Sequence, residues 1–113
     1  MGWIIGGRCG VLALEHKVES DERSATVRLG GELDLSVADE LRDLLDGLIT
    51  DGHPRIELDL RDINFVDSRA IGVLIGAQKR AEVAGGRIRV RNPRTAVRKA
   101  FDILGLSPVF EID

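Results

Sequence analysis

The sequence predicts a single α/β domain in which a mixed β-sheet carries its helices mainly on one face. Two observations predict this. Short stretches in which apolar and polar residues alternate are interleaved with longer ones in which apolar residues recur every three or four positions, and glycine, proline or asparagine marks each change of rhythm. The chain has 113 residues, 43% of them hydrophobic, enough for one continuous core without a disulfide or metal staple.

Residues 1–10 read as an N-terminal extension, with Trp3, Ile4 and Ile5 set among glycines. Residues 11–113 read as the domain. Val11 to His16 alternate as a weak first strand, and Ser20 to Arg23 form a polar turn. Ala25, Val27 and Leu29 define a half-buried second strand that Gly30-Gly31 is expected to break.

The period then becomes helical. Val37, Leu41, Leu44, Leu45 and Leu48 form one apolar face, with Ser36 as the expected N-cap and Asp39 and Glu40 in a first turn that favours negative charge. Gly52, His53 and Pro54 end that helix. Ile56, Leu58 and Leu60 alternate as a central strand. After a connection at Asp62 to Phe65, Ile71, Leu74, Ile75, Gln78 and Ala81 fall on one helical face that Gly85-Gly86 stops.

Ile88 and Val90 alternate with three arginines as a short strand. Asn92-Pro93 suggests a cap followed by proline at the first helical position, and Val97, Ala100, Phe101 and Leu104 form a third apolar face closed by Gly105. Val109, Phe110 and Ile112 are expected to finish as an edge strand. The predicted order is β-β-α-β-α-β-α-β. Helical connections between the later strands call for parallel pairing.

Composition narrows the function. Net charge is −3, with 16 basic and 19 acidic residues, which argues against nucleic acid as a partner. Aromatic residues make up 4%, too few for base-stacking platforms. The run Trp3-Ile4-Ile5 is too short for a signal-peptide core or a membrane span. Cys9 is the only cysteine, so an intrachain disulfide is excluded and a reducing, cytoplasmic setting is expected. Cys9, His16 and His53 match no zinc-ligand spacing, and no cofactor motif is present: neither glycine pair forms a dinucleotide fingerprint or a phosphate-binding loop.

One segment stands out, Asp62 to Gly72. It lies between a predicted strand and a predicted helix and places two strong capping residues, Asp67 and Ser68, side by side. Only one of them can be the N-cap; the other falls at the first helical position. There a hydroxyl is accessible, and the helix dipole and free N–H groups tolerate a phosphate. No histidine in the local pattern serves Ser68 as a base, which argues against a serine hydrolase.

Gly31-Glu32-Leu33-Asp34, Asp59 to Ser68 and Ile71 to Gly76 together resemble the STAS domain of anti-sigma factor antagonists. Gly85-Gly86, Asn92-Pro93 and Ala96 to Leu106 extend the resemblance over roughly residues 11–113. The resemblance implies a binding protein and not an enzyme. It implies an anti-sigma factor serine kinase as partner, phosphorylation of Ser68 that ends the binding, and a serine phosphatase that restores it.

It also implies a partner surface around Asp34, Asp67, Ser68, Arg69 and Ile71, with no membrane contact; homodimerisation is left open. Arg69 and Ala70 depart from the family pattern, which carries serine or threonine and then glycine after the acceptor serine. The alternative is a STAS-only scaffold subunit of a sensory or lipid-transport complex, favoured by Arg69 and the Trp3-Ile4-Ile5 extension.

Overall fold

The computed structural model describes residues 4–5 and 14–112. The elements are β1 (Ile4–Ile5), β2 (Glu15–Ser20), β3 (Ser24–Leu33), α1 (Ala38–Thr50), β4 (Arg55–Val66), α2 (Ser68–Val83), β5 (Arg87–Arg91) and α3 (Thr95–Ile103). The strands form one mixed sheet in the order β1-β2-β3-β4-β5. The β1–β2 and β2–β3 pairs are antiparallel, while β3–β4 and β4–β5 are parallel, connected by α1 and α2. Of the expected extension, Ile4–Ile5 is described as the edge strand β1; Trp3, Cys9 and the first part of the predicted strand at Val11 lie outside the described residues.

The sheet is two-sided in chemistry. Val27 and Leu29 on β3, Ile56, Leu58 and Leu60 on β4, and Ile88 and Val90 on β5 are completely or almost completely buried in one core with Leu41, Leu45, Leu74, Val97 and Phe101 of the helices. That period-two burial is why the strands read clearly from the sequence. The opposite face carries charge. Arg28 pairs with Asp62 at 2.7 Å, Arg91 with Glu57 at 3.2 Å and Arg61 with Asp59 at 2.8 Å.

Asp59 is 8% exposed on this face. Burial pushes its carboxyl up, but the hydrogen bonds and charge of Arg61, with a further contact from Asn92, outweigh burial and hold it below the ordinary carboxylate value. The folded protein therefore keeps this group ionised at a pH where the unfolded chain takes up a proton. The stability it confers is present above about pH 4 and is lost as pH falls through the folded value. Asp59→Asn should cost stability at pH 7, and the gap from wild type should narrow below about pH 4 in urea titrations. A gap of constant size across that range would refute the assignment.

Five local expectations are corrected. Asp62 to Phe65 are not a connection but belong to the last part of β4, paired with Gly30 to Glu32. Gly30-Gly31 does not end β3, which runs on to Leu33; the pairing with β4 shifts register between Arg28 and Gly30 and again between Gly31 and Glu32, with Gly31 at φ 94°. The extra residue at each shift lies in β4, opposite the glycines, and β3 runs on because β4 continues to Val66 and offers a partner throughout. Ser36 does not cap α1; Val37 holds that position without a side-chain bond, and the Ser36 backbone and hydroxyl bind Asp34 instead.

At α3 the N-cap is Arg94, two residues beyond the expected Asn92, which takes a left-handed φ of 57°. The predicted terminal strand is a series of turns, with Glu111 at φ 47°. Phe110 is buried there, its ring set edge-on to Phe101 at 5.6 Å. Its carbonyl accepts from Val90 N–H at 3.0 Å, so this segment closes the edge of β5 with a single bond in place of a ladder.

Candidate functional site at the start of α2

Strands β3 and β4 end side by side, with Leu33 opposite Val66. The loops that follow, Asp34 to Val37 and Asp67 to Ser68, therefore emerge together at the carboxyl ends of parallel strands, where α/β sheets place their sites. Asp67 ties them. Its N–H donates to the Leu33 carbonyl at 3.0 Å. Its Oδ1 accepts from Ala70 N–H at 2.9 Å, which makes it the N-cap of α2, and its Oδ2 accepts from Leu35 N–H at 3.0 Å.

The question of which neighbour caps the helix is thereby answered: Asp67 does, and Ser68 is the first helical residue. Ser68 is exposed, and its hydroxyl bonds to no other group among the described residues. Asp67→Ala should remove both ties at once and lower stability by about 1–2 kcal/mol, read as a fall of several degrees in Tm. An unchanged Tm would show that the two carboxylate bonds contribute nothing.

Asp34 is half-buried and folds its carboxylate back on its own loop, accepting from Ser36 N–H at 2.9 Å and the Ser36 hydroxyl at 2.5 Å. Such an Asx turn holds the loop in shape beside Ser68. Arg69 is exposed and lines a shallow groove between α1 and α2 with Arg42, Gly72, Val73, Gly76 and Arg80. Ile71 is 4% exposed. Its side chain belongs to the core beneath the site and cannot touch a partner, because at four residues past the cap it faces the sheet.

Two residues missed by the sequence reading join the exposed group. Leu35, in the loop after β3, is 64% exposed, and Phe65, next to the end of β4, is 50% exposed. In the sequence Phe65 stands as an apolar residue of the expected connection, and its outward direction on β4 depends on the register shifts in β3–β4. No histidine serves Ser68: His16 Nδ1 contacts the Leu14 carbonyl at 3.0 Å, and His53 lies before β4, at the other end of the strand. Among the described residues no cluster of side chains suits a metal ion, and no helix is long and apolar enough to cross a membrane.

The sequence model described as Mlab, STAS domain, matches residues 16–111. The chain belongs to the STAS domain family. This STAS domain is 30% identical over 95 residues to the anti-sigma-B factor antagonist of Bacillus subtilis, covering 84% of this chain and 86% of that protein. It is 31% identical over 86 residues to the anti-sigma F factor antagonist of Lysinibacillus sphaericus, covering 75% and 74%.

Its fold is similar to the anti-sigma factor antagonist SpoIIAA in the unphosphorylated form, with TM-score 0.75 and 28% identity over 82% of this chain and 83% of that one. The Bacillus SpoIIAA in the phosphorylated form is similar too, with TM-score 0.68 and 27% identity over 82% and 86%. The mixed sheet with helices on one face is thus the STAS architecture.

Proposed function

We propose that this STAS domain is an anti-sigma factor antagonist that binds an anti-sigma factor serine kinase and is switched off by phosphorylation of Ser68. The observation that carries the reading is the state of Ser68: exposed at the first position of α2, its hydroxyl released from structural duty because Asp67 has taken the cap. The partner surface is Asp34, Asp67, Ser68 and Arg69, with Leu35 and Phe65 supplying the apolar contact that polar groups alone lack.

Phosphorylation adds about −1.5 to −2 charge and three acceptor oxygens. At the start of α2 the first N–H groups have no intrahelical partners and the dipole favours an anion, so the phosphate is tolerated by the fold. Across an interface containing Leu35 and Phe65 the same charge must be desolvated, with Asp34 and Asp67 beside it, and docking is lost. The likeness of this fold to SpoIIAA in both its unphosphorylated and phosphorylated forms supports a switch that changes the surface and spares the architecture.

A serine phosphatase resets the switch, and the reading implies a cytoplasmic setting, where ATP is available. Incubation with the cognate kinase and ATP should place one phosphate on the wild-type chain and none on Ser68→Ala, measured by intact mass. A wild-type chain that stays unmodified, or a Ser68→Ala chain that is still labelled, overturns the assignment.

A further inference from the structure

A second feature lies at the opposite end of the sheet from Ser68. The parallel strands begin in register, with Ser24 beside Arg55 and Arg55 beside Arg87; two residues on, Thr26 stands beside Glu57 and Glu57 beside Arg89. The period of a strand puts both rows on the open face. They line an open cavity of about 490 Å³, with Gly85 and Gly86 in its wall. Small-molecule sites commonly span about 300–1,000 Å³.

Among the described residues the arginines there outnumber the carboxylates they pair with. Glu57 is paired with Arg91 at 3.2 Å, and the single carboxylate of Glu111 is shared by Arg87 and by Arg89, the latter at 2.8 Å. Arg55 is exposed and has no carboxylate partner among the described residues. Among the described residues, the four guanidiniums of Arg55, Arg87, Arg89 and Arg91 thus have between them the carboxylates of Glu57 and Glu111, while Glu19 stands beside Thr26 on the β2 side. The hydroxyls of Ser24 and Thr26, on the same rows, bond to no other described group.

We propose that this cavity binds a small molecule through a phosphoryl group, taken by Arg55 together with Arg87 or Arg89 and by the Ser24 and Thr26 hydroxyls. A phosphate monoester carries about two negative charges at neutral pH, and its oxygens suit the planar guanidinium fork that Arg55 holds without a carboxylate partner among the described residues. The cavity leaves room for the rest of the molecule beside Glu57 and the glycine wall.

The site shares no residue with the Ser68 surface, so either assignment stands if the other fails. The test is titration of the full chain with inorganic pyrophosphate at constant ionic strength, followed by amide NMR shifts. Saturable shifts at Ser24, Thr26, Arg55 and Arg87, none at Ser68, and a loss of affinity of about tenfold or more in Arg55→Gln are expected. Arg55→Gln should leave Tm unchanged, since it breaks no pairing. Shifts that never saturate, that chloride reproduces, that centre on Ser68, or that Arg55→Gln leaves intact overturn the proposal.

Discussion

Ser68→Glu is expected to weaken binding to the anti-sigma factor kinase by about a hundredfold or more, which corresponds to roughly 3 kcal/mol. The loss comes from the docked state alone. A carboxylate at Ser68 is solvated in the free protein, but an interface that covers Leu35 and Phe65 must strip its water with Asp34 and Asp67 close by. The fold should not suffer. Glutamate at the first helical position interacts favourably with the dipole, by about 0.3–1 kcal/mol, and Asp67 keeps the cap.

Calorimetry of the variant and wild type against the purified kinase, with Tm measured in parallel, separates the two effects. Equal affinity would sink the charge mechanism, and stable co-purification with a larger complex that ignores Ser68→Glu would favour a scaffold. Ser68→Ala should keep the wild-type Tm, because the hydroxyl it removes bonds to no other described group of the chain.

Gln78→Leu should be strongly destabilising, with a cost of about 3 kcal/mol. Gln78 is 3% exposed on the buried side of α2. Its Nε2 donates to the Ile88 carbonyl and to the Val109 carbonyl, both at 2.9 Å, and its Oε1 accepts from Ile88 N–H at 2.6 Å. One side chain therefore satisfies the outer backbone edge of β5 and anchors the C-terminal turns that bring Phe110 onto Phe101. Leucine fills nearly the same volume, so the loss measures unpaired backbone groups and not a cavity. For a domain of this size the cost corresponds to a fall in Tm of roughly 10 °C or more. A drop of only a degree or two would mean that water reaches these groups and that the edge is open.

What could be read along the chain were features set by neighbours in sequence. The apolar stripes of α1 and α2 and the alternation in β5 depend on helix and strand periods, and Gly85-Gly86 and Gly105 stop helices by local backbone freedom. The same local logic brought out Asp67 and Ser68 as rival caps. It could not choose between them, and it could not show that the carboxylate of the cap residue Asp67 also accepts from Leu35 N–H, 32 residues away.

Long-range pairing also carried β3 through the expected Gly30-Gly31 break, since the parallel neighbour β4 continued past it and took up the register shifts with its own extra residues. Contact with Gln78 and Phe101 coiled the apolar C-terminal residues into turns against β5. Burial direction removed Ile71 from the exposed surface and added Leu35 and Phe65 to it. Sequence by itself determined the three helices, the core strands between them, the family and the candidate hydroxyl, because period and punctuation are local. Only the tertiary structure decided which groups are free, because a hydrogen bond or a covered face belongs to residues far apart in the chain.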